Sequence, residues 1–185
     1  MVRITAEARR ARARDRAKKL IVGLVAASDG KLVGKLRLYK AFCRAHLLYF
    51  EETGLELTGY PIVHMPNGPG IDNAAELIDE LRQDGVLNEA IGNTDRAHER
   101  IYTTVGEATV EQDPEKSEAI RKAVEWANAL TYKELKDGSH NRSWRESGMG
   151  AEQNVFLDVV EDARIDDMRA EAKSRLARMQ SLASA

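Results

Sequence analysis

A ten-residue apolar stretch, Ala41 to Phe50, constrains the fold of this chain more than any other feature. Only Arg44 and His46 are polar within it, so a helix here would be apolar on nearly every face. Such a helix belongs at the centre of a globular core rather than on its flank. Gly54 follows shortly afterwards and suits the left-handed turn that ends a helix. The sequence therefore predicts a central buried helix that ends near residue 54.

A short extended segment comes next. Residues 60–65 read Tyr-Pro-Ile-Val-His-Met, with a proline near the start and Pro66 directly after the end, which is typical of a short strand. Asn67, Gly68, Pro69 and Gly70 then predict a tight turn. The buried helix, the strand and this turn form the predicted skeleton of the fold.

Helical and strand patterns flank the skeleton on both sides. The predicted helices cover about residues 5–27, 72–84 with Asp72 as the cap, 113–130 after Asp113 and Pro114, 131–138 after a Thr131/Glu134 capping box, and 151–179. Residues 86–87 and 100–105 predict two strands joined by a polar loop of residues 92–98, and residues 139–150 look irregular although they contain Trp144.

We therefore expect a mainly α protein with a small β element, folded as a single compact domain. Its centre would be the buried helix with the short strand and a β-hairpin in winged-helix order, preceded by an N-terminal helical extension. The predicted divisions are a basic helical arm over residues 1–19, the domain over residues 20–165 and the end of the last helix over residues 166–185. The apolar stripe of that last part is out of phase with the stripe before it, which makes a homodimer a candidate assembly.

The composition limits the class of protein. A chain of 185 residues with 43% hydrophobic and 31% charged residues is long enough for one domain with a substantial core. No apolar run approaches 18 residues, so we expect no membrane span, and no signal-peptide cleavage pattern follows the basic N-terminus. The single cysteine, Cys43, cannot form an intrachain disulfide and suits a reducing cytoplasm. Because Cys43 lies in the apolar helix, we expect it to be a buried side chain.

The net charge of −2 conceals a strong division along the chain. Residues 1–40 carry a net charge of +9 and residues 41–185 carry −11. A basic segment of this kind binds nucleic acid in some proteins, but it can equally dock on the acidic body of its own chain. The residues that would contact nucleic acid are Arg9, Arg10, Arg12, Arg14, Arg16, Lys18 and Lys19.

The winged-helix order makes nucleic-acid binding a hypothesis to test. In such a module the helix before the hairpin would enter the major groove. That predicted helix, residues 72–84, has a net charge of −4, which opposes contact with phosphates. Nucleic acid is therefore an unfavoured partner, and only the basic arm could bind it.

Catalytic and metal-binding patterns are not found in the sequence. The histidines His46, His64, His98 and His140 lie far apart, and none has a neighbour at metal-ligand spacing. Serine, histidine and aspartate occur without the sequence context of a nucleophile elbow. We expect His46 to be a hydrogen-bonded core residue. The sequence predicts no metal, no cofactor and no enzyme activity.

Two blocks of sequence resemble the Panacea domain, the family of SocA-like antitoxins. The first runs LVGKLRLYKAFCRAHLLYFEETGLELTGYPIVHMPNGPGI, and the second, LTYKELKDGSHNRSWRES, places His140 four residues before Trp144. The likeness covers roughly residues 18–164 and leaves the basic arm outside. Asn67 stands where the family usually has an aromatic residue before Gly-Pro, and the aspartate common in the family's first helix is replaced here.

This resemblance implies an antitoxin that neutralises a separately encoded protein toxin by binding it, and that can also present the toxin to a cellular protease. The residues it points to for partner binding are Tyr60, His64, Met65, Asn67, His140 and Trp144. Support of the fold is the alternative role for all six. A nucleic-acid-associated regulator using the arm, and an enzyme with a pocket near His64 or His140, are the competing hypotheses.

Overall fold

The computed structural model describes residues 5–94, 97–106, 111, 113–160, 170 and 173–174, without the side chains of residues 93–98. Its helices are α1 (Ala6–Ala26), α2 (Lys35–Thr53), α3 (Ala74–Gln83), α4 (Pro114–Ala129), α5 (Tyr132–Asp137) and α6 (Arg142–Glu146). Its strands are β1 (Lys31–Val33), β2 (Ile62–Met65), β3 (Gly68–Ile71), β4 (Leu87–Thr94) and β5 (Ala97–Thr104), and a 3-10 helix covers Val155–Asp158. The fold is mainly α with a small β element, as the sequence predicts. None of the described helices is long and apolar enough to cross a membrane.

Helix α2 is the centre of the core. Leu38, Ala41, Phe42 and Ala45 have no exposed surface, and α1, α4, α5 and β3 all pack on this helix. It ends at Gly54, whose φ of 69° is left-handed and whose N–H donates to the carbonyl of Phe50 at 2.8 Å. The predicted central helix and its end are confirmed.

A three-stranded antiparallel sheet covers one side of the core in the order β1-β5-β4. Strand β1 was not predicted, because three residues are too few to show an alternating pattern. It forms because Leu32 pairs with Tyr102 of β5, and both side chains are buried. Strands β4 and β5 also extend through most of the predicted loop of residues 92–98. The order of α2, β2, α3 and the β4–β5 hairpin is nevertheless the predicted winged-helix order, with β3 added between β2 and α3.

The second sheet is the β2–β3 hairpin, and it corrects the predicted turn. The turn residues are Pro66 and Asn67, whereas Gly68 to Ile71 form β3 in antiparallel register with β2. A proline at position 69 is compatible with a strand that lies at the edge of a sheet. Helix α3 also begins one residue later than predicted, with Asn73 rather than Asp72 at its N-cap.

The predicted helix from residue 151 is wrong over residues 151–160, whereas residues 170, 173 and 174 are helical as predicted. Residues 150–153 instead run along the free edge of β2, where the N–H of His64 donates to the carbonyl of Ala151 at 2.9 Å. The N–H of Gln153 donates to the carbonyl of Ile62 at 2.7 Å, and the 3-10 helix follows. Nearly all of the remaining predicted helix, including its out-of-phase stripe, lies outside the described residues. Helix α6 is a second correction, since it places Trp144 in a helix rather than in irregular chain.

Helix α1 crosses the predicted boundary at residue 19 without a break, and its ionic contacts attach it to α3. Arg14 and Lys18 both pair with Glu80, the latter at 3.2 Å, and Lys18 also lies 3.5 Å from Asp84. Arg16 donates from Nε to the carbonyl of Thr58 at 2.8 Å. Three of the basic residues thus dock on the chain's own body, as one of the two sequence-based alternatives requires.

Candidate interaction site

Three aromatic rings from separate segments meet beside the β2–β3 hairpin. His64 comes from β2, His140 precedes α6 and Trp144 lies within α6. The ring of His140 stacks on the indole at a centroid distance of 3.9 Å and an angle of 8°, and that of His64 at 4.5 Å and 26°. The fold therefore brings together three of the six predicted partner-binding residues. We call these rings, with Met65 and Asn67 of the hairpin, the stack surface.

Hydrogen bonds fix the orientation of Trp144. Its Nε1 donates to the carbonyl of Met65 at 3.1 Å, so the indole is tied to the hairpin as well as to the histidines. Helix α6 is held in turn by the carboxylate of Asp158, which accepts from the Ser143 N–H at 2.7 Å and from its hydroxyl at 2.6 Å. Burial raises the pKa of Asp158, although the two Ser143 hydrogen bonds oppose this change. The aromatic side chain therefore has a defined position, although it remains partly exposed.

The buried side chain of Lys40, on α2, packs against the β2–β3 hairpin. Its side chain is only 2% exposed, and Nζ donates to the carbonyl of Pro69 at 2.7 Å. Gly68 allows this close approach: its φ is +92°, and a Cβ there would collide with Ser139 Oγ and with Lys40 Nζ. Burial lowers the pKa of the Lys40 ammonium group to about 8.

The pKa of His140 is lowered for related reasons. Burial lowers its pKa first, and the positive charges of Lys40 and Lys136 lower it further. Its Nε2 is buried without a hydrogen-bond partner among the described residues. Among those same residues, no group of histidine, cysteine and carboxylate side chains has the arrangement needed to hold a metal ion.

The remaining predicted partner-binding residues occupy different places. Met65 lies over Gly70 within the hairpin, and Asn67 is exposed at the turn. Tyr60 is not part of the stack surface: it lines a separate groove of about 850 Å³ beside the first half of α1, and its N–H donates to Thr58 Oγ1 at 3.0 Å. Burial raises the pKa of Tyr60.

The basic residues of α1 divide into two groups. Arg14 and Lys18 make the ion pairs with α3 described above, and Arg16 bonds the loop before β2. The others are exposed, namely Arg9, Arg10, Arg12 and Lys19. Because α3 carries the acidic partners of this contact, it offers no basic surface to a nucleic-acid groove.

Two residues of α2 are structural, as predicted. His46 is 3% exposed, with Nδ1 2.9 Å from the carbonyl of Phe42 and Nε2 2.7 Å from Thr58 Oγ1. Burial lowers the pKa of His46 to about 4, so the ring is neutral. Cys43 is buried, which raises the pKa of its thiol to about 12.

Sequence reasoning missed two residues near the stack surface. Lys40 directly precedes the apolar stretch of α2, and a lysine one residue before such a stretch was a usable signal of a buried charge. Met149 is 66% exposed and precedes Gly150, whose N–H donates to the carbonyl of His64 at 2.9 Å. Its position gave no signal, because the pairing of residues 150–153 with β2 joins distant parts of the chain.

Comparison with known proteins adds one match to this geometry. The family model described as "Antitoxin SocA-like, Panacea domain" matches residues 38–145, which is more than half of the chain. That range includes most of α2, the β2–β3 hairpin, α3, the β4–β5 pair, α4, α5, His140 and Trp144, and it leaves out α1 and β1. Neither the curated proteins nor the solved structures contain a significant match. By its sequence from Leu38 to Arg145, this chain belongs to the SocA-like antitoxin family of Panacea domains.

Proposed function

We propose that this protein neutralises a separately encoded protein toxin by binding it directly, with the stack surface as the centre of the interface. Membership of the Panacea family supports an antitoxin-type role. The choice of surface rests on one observation, the ring of Trp144 fixed between hairpin and histidines while still partly exposed.

A rigid aromatic side chain of this kind is well suited to anchor an interface. Tryptophan is enriched among the few residues that carry most of the binding energy in protein complexes. Its stacking contacts and its hydrogen bond to Met65 hold it in place before binding, so little side-chain entropy is lost on association. Met149 is a further exposed apolar residue, and the next residue, Gly150, donates its N–H to the carbonyl of His64 in the stack surface.

The same region offers little support for catalysis, and we propose that the protein acts without it. The nearest approach to a nucleophile and base is His64 Nδ1, 3.2 Å from Ser147 Oγ. Ser147 donates its own proton to the carbonyl of Trp144, and no described carboxylate orients His64. A nucleophile is normally bonded to its base, which a third group then orients.

Nucleic-acid binding is the weaker candidate. A duplex reader needs cations to contact phosphates, and the helix in the reading position, α3, carries Glu76, Asp79 and Glu80. The exposed arginines of α1 lie outside the matched family region. They are therefore not part of the proposed toxin interface.

The test is co-expression with the neighbouring small reading frame whose product is toxic alone. We expect this chain to rescue growth and to co-purify with that product. Trp144→Ala should weaken the complex by about 100-fold, which corresponds to roughly 2–3 kcal/mol and is typical of an anchor residue. Trp126→Ala is the matched control, because that tryptophan lies on α4 under Arg44 and outside the stack surface. Equal losses for both variants would contradict the proposed surface.

A second matched pair separates contact from folding. Met149 and Leu55 are exposed to similar extents, 66% and 61%, but only Met149 is next to a residue, Gly150, that is hydrogen-bonded to the stack surface. We expect Met149→Asp to weaken toxin binding and Leu55→Asp to leave it unchanged, with the same melting temperature for both.

Light scattering of the complex would reveal a homodimer, and toxin half-life in protease-deficient cells would reveal a role as a protease adaptor.

A further inference from the structure

A small pocket lies between the start of α2 and the turn of the β2–β3 hairpin. Its volume is about 230 Å³, which admits a small chemical group rather than a whole peptide segment. Leu36 and Tyr39 form the α2 side, Pro66 to Pro69 form the hairpin side, and Tyr132 at the start of α5 closes the rim. The pocket adjoins the stack surface, because Met65 and Asn67 belong to both.

The inner wall of this pocket carries a buried positive charge. Lys40 lines the pocket, is 2% exposed and uses one of its three N–H donors on the carbonyl of Pro69. No carboxylate among the described residues lies within ion-pair distance of its Nζ. A buried ammonium group is costly unless an opposite charge or further acceptors satisfy it. The lowered pKa of Lys40, about 8, reflects this cost.

The rim of the pocket is also positively charged. Lys35 is exposed at the opening, with its Nζ 5.3 Å from the centre of the Tyr39 ring. The lining contains these two lysines and no aspartate or glutamate. Burial raises the pKa of Tyr39 to about 12, so the phenol stays uncharged and adds no negative charge. The ionisable side chains that line this pocket are therefore two lysines and two uncharged phenols.

We propose that this pocket binds a carboxylate group, and that the toxin supplies it when the complex forms. This inference rests on the proposed function, since it assigns the partner's anchoring group at the same interface. A carboxylate fits because it accepts hydrogen bonds from the free Lys40 donors and needs only one compensating charge. Its source is either an acidic side chain or the carboxyl terminus of the toxin chain.

The experiment uses the free protein and two small carboxylates. N-acetylglutamate with its α-carboxyl blocked as the methylamide represents a side chain, and N-acetylalanine represents a chain terminus. Nuclear magnetic resonance of the Lys40 side chain measures its pKa with each probe. We expect a saturable response at millimolar concentrations and a pKa raised by about one unit, as for an opposite charge within hydrogen-bonding distance. The neutral N-acetylglutamine methylamide should have no effect.

Two sets of variants test where the probe binds. Lys40→Met should abolish the shifts that the probes cause at the amides of Gly68 and Tyr132, whereas Lys122→Met, on the distant helix α4, should not. Tyr132→Glu places a carboxylate on the rim and should raise the Lys40 pKa without any probe, while Tyr132→Gln should not. The second pair keeps the test valid if Lys40→Met does not fold.

Each outcome has a defined meaning. A response to the glutamate probe alone identifies an acidic side chain, a response to N-acetylalanine alone identifies a chain terminus, and a response to both supports the pocket for either source. No saturable response to either carboxylate, or no effect of Tyr132→Glu on the Lys40 pKa, would overturn the proposal. Because no toxin is present, these failures are independent of a failure to rescue growth.

Discussion

Positive side chains have opposite environments in two regions of the molecule. At the contact between α1 and α3, Arg14 and Lys18 are partly exposed and paired with carboxylates of their own chain. Under the β2–β3 hairpin, Lys40 is buried and holds only a backbone carbonyl. Self-paired surface charge attaches one helix to another, whereas buried, incompletely satisfied charge is expensive and suggests a role outside folding. The second region lies within the matched Panacea segment, whereas α1, the basic side of the first region, lies outside it.

The largest effect is expected where the packing around Lys40 is disturbed. Gly68→Ala would place a Cβ against Lys40 Nζ and Ser139 Oγ at a φ of +92°. We expect a loss of about 3 kcal/mol or more in the free energy of unfolding. The matched control is Gly54→Ala, at φ +69° with open space around it, which should cost about 1 kcal/mol. Urea unfolding of both variants measures the difference, and equal losses would show that the hairpin is not tightly packed on Lys40.

The buried charge itself should appear in the pH dependence of stability. The pKa of Lys40 is lowered from 10.5 to about 8 in the folded state, so the unfolded chain binds more protons between these values. The free energy of unfolding therefore increases as the pH rises through this window, by on the order of 3 kcal/mol.

The variant Lys40→Met should lack this increase in the free energy of unfolding. The difference in unfolding free energy between wild type and variant should shift in favour of wild type from pH 8 to pH 10.5. Tyr39 and Cys43 have raised pKa values and contribute the opposite slope, but they do so in both proteins, so the difference largely removes their effect. A difference that stays constant with pH would mean that Lys40 is not desolvated.

The smallest effect is expected at the α1–α3 contact. Glu80→Gln removes the carboxylate that Arg14 and Lys18 share, and because these groups are partly exposed the loss in the free energy of unfolding should be below about 1 kcal/mol. At about 1 M NaCl the loss should disappear, since salt screens such pairs. The Arg14 hydrogen bond lowers the pKa of Glu80, so the pair stabilises the fold above the ordinary carboxyl pKa and is lost as pH falls.

Glu125→Gln, on the exposed face of α4, is the control for the Glu80 variant. It removes one partner of Arg121, a contact within a single helix, and should change stability even less. Chemical unfolding at low and high salt compares the two. A salt-independent loss of several kcal/mol for Glu80→Gln would show that the α1–α3 ion pairs are not weak surface pairs, and so do not differ from the buried charge of Lys40.

Local signals identified the helices and several of their boundaries. The Thr131/Glu134 capping box and the Asp113 cap before Pro114 are both present, because each depends only on residues within one helical turn. The buried roles of His46 and Cys43 followed from the apolar stretch around them. Strand β1, strand β3 and the pairing of residues 150–153 were not predicted, since each is defined by a partner elsewhere in the chain.

The candidate site shows the same division. His64, Met65, Asn67, His140 and Trp144 could be proposed from their residue types and from the family resemblance. Their stacking could not be, because β2 and α6 are separated by about 80 positions in the sequence. Lys40 and Met149 depend even more on the fold, since burial of the first and exposure of the second follow from the packing of the hairpin.

Patterns within the sequence were enough to predict a mainly helical domain around α2, most of the caps that begin or end its helices, and its likeness to the Panacea family. These features depend on residues close together along the chain, or on motifs whose order is visible directly. Long-range packing sets the pairing of the basic helix with α3, the meeting of three aromatic rings on one surface, and the burial of a lysine beside them. Those properties arise from contacts between distant segments, and patterns among neighbouring residues do not show which distant segments meet.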